Sequence, residues 1–175
     1  MVEDTELHAE QQGSRSWRQR WHTGEMTVQR AGTADFPGFL RLASQVEQWF
    51  GPLTTDPGFR NAVVRNIDRG SALVAWEHGE VVGGLLVSAR PPTYHFTWLV
   101  VDEAHRGEGL GRALMAEAER LFVVPPATLE VVTFGPDHPG AVAGGSRAFY
   151  ESLGFTPSEA HPAGRSEERR VGKEC

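Results

Sequence analysis

The sequence predicts one α/β domain in which a mixed, mostly antiparallel sheet carries helices on both faces. Three observations support this prediction. Strand-like apolar segments alternate with segments of helical periodicity along residues 26–157. The pair His78-Gly79 separates two strand-like segments and is typical of a tight hairpin turn. A glycine-rich turn lies between a nearly continuous apolar strand and an amphipathic helix, as expected for a central strand.

Each predicted element has its own sequence signal. Runs of β-branched and aromatic residues bounded by turn residues predict strands over 26–30, 72–76, 80–88, 94–101 and 128–134. Apolar residues at helical spacing, with capping and stop signals, predict helices over 33–49, 56–70, 110–122 and 145–153. Gly83-Gly84 inside the third strand predicts a bulge or a close backbone approach. A final strand is expected to begin at Phe155 and to be truncated.

The composition excludes several classes of protein. With 39% apolar residues in 175, the chain can bury one core, but no apolar run approaches the roughly 20 residues that span a membrane. The formal net charge of -6 argues against a nucleic-acid partner, since such proteins usually carry a basic face. A single cysteine, Cys175, excludes an internal disulfide framework, and no cluster has zinc spacing. We therefore expect a cytoplasmic protein without a metal.

The two ends are predicted to lie outside the domain, which we assign to residues 25–164. Residues 1–24 are polar and lack a sustained apolar period, so we interpret them as a disordered extension or an over-long start, with Met26 as the alternative start. Residues 165–175 match, residue for residue, the translation of a common short-read sequencing adapter. We interpret this segment as a non-native tail, so that Cys175 would not be native.

The most informative stretch is the glycine turn, Arg106-Gly107-Glu108-Gly109-Leu110-Gly111, which follows a strand and opens a helix. The first N–H groups of a helix have no acceptor within the helix, and the helix dipole adds positive potential there. Glycine lets a phosphate approach the backbone because it has no Cβ. The glycine turn therefore predicts a phosphorylated ligand.

Two familiar phosphate-binding motifs do not fit this turn. The dinucleotide fingerprint requires a third glycine where this chain has Arg112, and a Walker loop requires a G-K-[ST] run that the sequence lacks. The spacing that does hold is Arg106-x-x-Gly109-x-Gly111.

This spacing, with Leu99-Val100-Val101-Asp102 before it, resembles the acetyl-CoA pyrophosphate motif of the GNAT superfamily of N-acetyltransferases. The run Ala148-Phe149-Tyr150-Glu151-Ser152-Leu153-Gly154-Phe155 resembles the other recognisable motif of that superfamily. The resemblance covers roughly residues 26–157. It implies that an amine, either a small molecule or a peptide, attacks acetyl-CoA directly in a ternary complex. It also implies a monomer or a homodimer.

The resemblance implies roles for individual residues. The residues expected to hold the cofactor are Leu99, Val100, Val101, Arg106, Gly107, Glu108, Gly109, Leu110, Gly111 and Arg112. A backbone N–H of the strand could polarise the thioester carbonyl. Tyr150 stands where the family commonly places the acid that assists the leaving thiolate. The helix before Tyr150 often begins with Asn in the family, whereas this chain has Ser146 there.

The base is specified less closely. An alkylamine has a pKa of about 10 and must lose a proton before it attacks. His95, four residues before Leu99 on the same strand face, is our first candidate, and Glu130, Asp137 and His138 remain alternatives. Trp49, Phe50, Pro52 and Phe59 lie where the family builds its acceptor pocket and predict an apolar wall. Two other functions stay open: a non-catalytic acyl-CoA-binding module, or an inactive truncated fragment.

Overall fold

The computed structural model describes residues 26–134, 138–157 and 168–175. The predictions made for residues 1–24, for Asp137 and for residues 158–167 fall outside them. The chain forms two compact units, of which the first comprises the segment up to Leu86 together with Trp98–Leu121. The second comprises Val87–Thr97 and Phe122–Cys175.

The strands and helices are labelled here in chain order. The strands are β1 (Met26–Arg30), β2 (Ala72–Glu77), β3 (Glu80–Arg90), β4 (Thr93–Val101), β5 (Thr128–Phe134), β6 (Thr156–Pro157) and β7 (Glu168–Glu174). The helices are α1 (Phe36–Ser44), α2 (Glu47–Phe50), α3 (Pro57–Asp68), α4 (Leu110–Phe122), α5 (Pro139–Gly144) and α6 (Ser146–Ser152). Short 3₁₀ turns cover Thr33–Asp35 and Glu103–His105. Among the described residues, none of these helices has the length and apolar character that crossing a membrane requires.

In the first unit the strand order is β1-β2-β3-β4, and β2 pairs antiparallel with both β1 and β3. His78 and Gly79 form the predicted two-residue turn, with φ angles of 50° and 83°. The pairing of β2 with β3 shifts register between Ala75 and Trp76. The extra residue is Val82, next to the glycine pair, whereas Gly83 and Gly84 themselves pair with Ala75 and Val74.

The glycine pair in β3 also allows helices to pack closely on both faces of the sheet. A Cβ on Gly83 would lie 2.9 Å from Leu114 Cδ1 in α4, and one on Gly84 would lie 2.8 Å from Phe39 Cε1 in α1. Because successive residues of a strand point to opposite faces, α1 and α4 lie on opposite faces of β3. The predicted arrangement of helices is confirmed.

The core of the first unit is built by the apolar faces of α1 and α3 and by the sheet beneath them. Its buried members are Ala31, Phe39, Leu42, Val46, Val63, Ala72, Val74, Val81, Leu86 and Val100. Helix α3 begins as predicted, because the Asp56 carboxylate accepts hydrogen bonds from the N–H groups of Gly58 and Phe59. On α4, the buried side chains are Leu110, Ala113, Leu114, Met115 and Ala118.

In the second unit β4 pairs parallel with β5, and β5 pairs antiparallel with β7. The strand order there continues as β5-β7-β6, so the sheet is mixed, as predicted. The buried apolar residues of this unit are Val87, Tyr94, Phe96, Ala127, Leu129, Val131 and Phe155.

Three elements differ from the sequence prediction. The helix predicted over 33–49 is divided after Ser44, because the N–H groups of Gln45 and Val46 bond three residues back and tighten the last turn. Helix α5 lies between the strand predicted over 128–134 and the helix predicted over 145–153, where no helix was predicted. Its sequence signal is Pro139 at the first helical position, preceded by the capping side chain of His138.

The third difference concerns the end of the sheet. We expected a truncated final strand to begin at Phe155, and in the described part of the chain β6 covers Thr156–Pro157. Strand β7, however, is formed by Glu168–Glu174, within the segment interpreted as a non-native tail. It pairs with β5 from Thr128↔Glu174 to Phe134↔Glu168, using main-chain groups that every residue except proline carries. The origin of this tail stays a prediction.

Candidate functional site

The glycine turn has the backbone conformation that its glycines suggest. Gly107 and Gly109 adopt φ angles of 79° and 85°, in the left-handed region that favours glycine. Helix α4 begins at Leu110, and its first hydrogen bond runs from Ala113 N to Gly109 O over 3.0 Å. The N–H groups at the start of α4 therefore precede the first intrahelical bond, which is the geometry of an anion site at a helix N-terminus.

The turn is accessible on one side and anchored on the other. Arg106 and Gly107 are exposed, Glu108, Gly109, Gly111 and Arg112 are half-buried, and Leu110 is buried in the core. No described atom lies within 4 Å of the position of a Cβ on Gly107, so the space beside this residue is open. Arg106 Nε lies 3.4 Å from the carbonyl oxygen of Val101, which keeps the guanidinium at the start of the turn.

Along the strand that leads into the turn, buried and half-buried side chains alternate as predicted. Val100 is buried at 7% exposure, whereas Leu99 and Val101 on the other face are half-buried. The register of β4 with β5 runs from Thr93↔Thr128 to Phe96↔Val131, whereas β4 itself continues to Val101.

Asp102, which follows β4, is a residue that the sequence analysis did not assign to the site. Its Oδ2 accepts hydrogen bonds from Gln45 Nε2 at 2.9 Å and Arg41 Nη1 at 3.3 Å, and its Oδ1 accepts one from Ala104 N at 3.0 Å. Burial alone would raise the pKa of Asp102, but the hydrogen bonds from Gln45, His105 and Ala104 outweigh it and lower the pKa. An aspartate between a strand and a short helical turn is a capping signal that sequence reasoning could have used.

His95 and Glu130, two of the candidate bases, lie side by side. They face each other in the parallel register of β4 and β5, and His95 Nδ1 lies 3.1 Å from Glu130 Oε2. Their side chains are 32% and 21% exposed. His138 has a different role, because its Nδ1 accepts a hydrogen bond from Gly140 N at the start of α5.

Tyr150 lies in α6 within a group of aromatic rings. Its ring packs edge-on against Phe149 at 5.1 Å and Phe155 at 5.6 Å between centroids. Burial raises the pKa of the Tyr150 hydroxyl to about 12. Ser146, at the start of the same helix, lies 3.2 Å from the Thr133 hydroxyl, between the two Oγ atoms.

The aromatic residues predicted to line an acceptor pocket are half-buried around the core of the first unit. Trp49, Phe50 and Phe59 pack against this core. The ring of Phe59 lies 5.4 Å from that of Trp98 in β4, and Phe39 lies on the same indole at 5.8 Å. Among the described residues, Trp98 Nε1 is a buried donor without a hydrogen-bond partner.

Comparison with known proteins identifies a family whose profile matches this chain and solved structures of similar fold. A family profile described as "Acetyltransferase (GNAT) domain" matches residues 68–157. The PaiA N-acetyltransferase from Thermoplasma acidophilum, solved in complex with coenzyme A, is 12% identical, with a TM-score of 0.66 over 86% of this chain and 99% of that one. Ard1 from Thermoplasma volcanium is 17% identical, with a TM-score of 0.66 over 86% and 97%.

A third solved structure is similar over a comparable length. The ribosomal-protein-S18-alanine N-acetyltransferase from Escherichia coli is 19% identical, with a TM-score of 0.62 over 85% of this chain and 93% of that one. No curated protein matches the sequence significantly. At these identities the solved structures support the fold alone.

Proposed function

This chain belongs to the GNAT acetyltransferase family, and on that premise we propose that it transfers the acetyl group of acetyl-CoA to an amine. The observation that carries the proposal is the glycine turn, in which two glycines at positive φ precede the start of α4. This geometry suits a pyrophosphate, and the coenzyme A complex of the similar PaiA enzyme agrees with that choice of ligand.

We propose that the turn and β4 hold the donor. The main-chain N–H groups from Gly107 to Arg112 would bind the pyrophosphate, with Arg106 adding positive charge. The pantetheine arm would follow Leu99 to Val101, the last residues of β4, which lead directly into the turn. A main-chain N–H in this segment would polarise the thioester carbonyl and stabilise the oxyanion that forms during attack.

The proposed base is His95, oriented by Glu130. If the Glu130 carboxylate accepts the proton on Nδ1 across the 3.1 Å contact, Nε2 carries the lone pair. Nε2 can then accept a proton from the amine, directly or through one water. A carboxylate that orients a histidine in this way also stabilises the imidazolium that results.

The proposed acid is Tyr150. A phenol with a pKa of about 12 stays protonated at any physiological pH. Because a thiol has a pKa of about 8.5, complete transfer of the phenol proton to the leaving thiolate is uphill. Tyr150 would therefore assist by donating a hydrogen bond to the sulfur as the carbon–sulfur bond breaks. Starting from the neutral amine, the carbon–nitrogen bond forms as the carbon–sulfur bond breaks, the products are the amide and the coenzyme A thiolate, and the proton lost by the amine nitrogen resides on His95.

The experiment is a screen of amines for coenzyme A release, with the acetylated product identified by mass spectrometry. The panel comprises small alkylamines, arylalkylamines, polyamines and peptides with free N-termini. Cys175 is exposed and would react with a thiol reagent, so the Cys175→Ser variant serves as the background control. We expect acetyl transfer to at least one class of amine.

Two results would contradict this proposal in different ways. A folded protein whose melting temperature does not respond to acetyl-CoA would remove the donor assignment. The protein could instead bind coenzyme A tightly, with an affinity unchanged by Tyr150→Phe, and acetylate none of the amines. That result would indicate a binding module and not an enzyme.

A further inference from the structure

His105 lies between two carboxylates immediately before the glycine turn. Its Nε2 is 3.2 Å from Glu77 Oε2, and its Nδ1 is 3.2 Å from Asp102 Oδ1. Glu77 is only 4% exposed and ends β2, whereas Asp102 follows β4. A single imidazole thus joins the end of one strand to the connection that leads from β4 into α4.

Each ring nitrogen of His105 faces one carboxylate, Nδ1 facing Asp102 and Nε2 facing Glu77. An ionised carboxylate can only accept hydrogen bonds, and a neutral imidazole donates from one nitrogen whereas an imidazolium donates from both. The Nδ1 atom of His105 and Asp102 Oδ1 have hydrogen-bond geometry, and Nε2 and Glu77 Oε2 form a second polar contact at 3.2 Å. Among the described residues, Arg41 also lies at this cluster, 3.3 Å from Asp102 Oδ2 and 3.6 Å from Glu80 Oε2, and Glu80 itself is exposed.

Asp102 cannot easily move with His105, because other groups hold it. Gln45 donates to Asp102 Oδ2 at 2.9 Å and accepts from Glu103 N at 2.9 Å. Asp102 N donates to Val82 O at 2.8 Å, and Arg41 also contacts the Val81 carbonyl. One side of the imidazole is thus tied to α1 and β3 through Asp102, and the other side to β2 through Glu77.

We propose that His105, acting through this bridge to Glu77 and Asp102, is a positioning residue for the cofactor. This inference rests on the proposed function. Arg106 and Gly107 follow His105 directly, so the orientation of its backbone sets the direction in which the turn presents its N–H groups. Because main-chain donors do not adapt as side chains do, a small rotation at His105 would misalign them with the two phosphates.

A positioning role for His105 has a consequence that a role in fold stability alone does not have. In the proposed function the glycine turn binds acetyl-CoA and not the amine. Loss of the bridge should therefore raise the KM for acetyl-CoA and weaken coenzyme A binding. The kcat at saturating donor and the KM for the amine should stay within about twofold. A residue that only stabilised the fold would lower the melting temperature without this division between the two substrates.

The experiment measures coenzyme A affinity by calorimetry, and the two KM values, for His105→Asn and Glu77→Gln. Glu80→Gln is the matched control, because Glu80 lies on the same hairpin, is exposed and touches Arg41 but not His105. Val28→Ala, in β1 and 7% exposed, is the control for loss of stability alone. We expect about tenfold weaker coenzyme A binding in both test variants and no change in either control.

The outcomes separate this inference from the proposed function. If the wild-type protein binds no coenzyme A, the proposed function fails first. If the wild type binds it and His105→Asn binds equally well, the bridge has no positioning role. The same conclusion follows if Val28→Ala, at an equal loss of melting temperature, weakens coenzyme A binding to the same extent. Where Glu77→Gln fails to fold, the half-buried His105 site still gives the result.

Discussion

The Nδ1 atom of His95 lies 3.1 Å from the Glu130 carboxylate, across the parallel register of β4 and β5. If this pair acts as the base, His95→Ala should lower kcat by about 10²-fold or more, because a positioned base contributes roughly that factor. Glu130→Gln should lower kcat less, since the imidazole remains. Steady-state kinetics at saturating acetyl-CoA give both values.

The control for this pair is Glu117→Gln, which removes the ion pair of the half-buried Glu117 with the exposed Arg120 on α4. Coenzyme A affinity should be unchanged in all three variants. A His95→Ala enzyme with wild-type kcat would assign the base elsewhere.

The raised pKa of Tyr150 predicts behaviour in alkaline solution. The Tyr150 phenol should ionise only near pH 12, whereas an exposed tyrosine ionises at about pH 10. The chain has two tyrosines, so the absorbance titration of Tyr94→Phe reports Tyr150 alone. Because the folded state then holds a proton that the unfolded state has lost, stability should fall as pH rises from about 10 towards 12. Ionisation at pH 10 would show that the Tyr150 hydroxyl is better solvated than the structure indicates.

Gly107 and Gly79 form a natural pair for testing the turn. Their φ angles are 79° and 83°, and no described atom lies within 4 Å of a Cβ on either. Alanine should therefore cause similar backbone strain at both positions, of about 1–2 kcal/mol. Only Gly107→Ala should also weaken coenzyme A binding. Chemical denaturation and calorimetry separate the two effects, and equal binding by both variants would exclude the turn as the anion site.

Phe39 and Trp98 approach Gly84 so closely that adding one methyl group at this position should reduce the free energy of unfolding. A Cβ there would lie 2.8 Å from Phe39 Cε1 and 3.1 Å from Trp98 Cζ3, so Gly84→Ala should destabilise the protein by about 1–3 kcal/mol. The double variant with Phe39→Leu should recover part of the loss. Gly32→Ala, where the nearest atom is 3.9 Å away, is the control. Equal denaturation midpoints for Gly84→Ala and the wild type would contradict the packing.

The lowered pKa of Asp102 predicts that the free energy of unfolding depends on pH in the acid range. Because its pKa is lowered in the folded state, its contribution is complete above the ordinary carboxyl pKa of about 4 and is lost as pH falls through the folded value. Asp102→Asn should therefore be less stable than the wild type at pH 7, and the gap should close in acid. Urea denaturation at several pH values measures this gap, and a gap that widens in acid would have the wrong sign.

Local signals were enough to predict much of this fold. The caps, stops and periodicity around Asp56 and Leu110 each depend on neighbours in sequence, and the helices begin there as predicted. The division of the first helix could not be predicted, because the residue at the break, Gln45, hydrogen-bonds to Asp102 and Glu103 far along the chain. Contacts of this kind have no periodicity in the sequence.

The same distinction holds for the candidate site. The glycine turn was visible because conformation and function both require glycine at fixed spacing. The pairing of His95 with Glu130 depends on the register of β4 with β5, and the link from His105 to Glu77 depends on where β2 ends. Register and strand ends depend on contacts between distant residues and cannot be inferred from neighbouring residues alone, so these partners emerged only from the structure.

Strand β7 has a practical consequence. It joins the sheet through main-chain hydrogen bonds along Thr128–Phe134, and Ala127 and Cys175 exchange N–H···O bonds at the end of the ladder. Main-chain pairing of this kind is the means by which many proteins accept a free peptide as an added strand. A synthetic peptide of residues 168–175 could therefore be supplied separately to the rest of the chain. The protein would then become a two-part system whose assembly can be titrated.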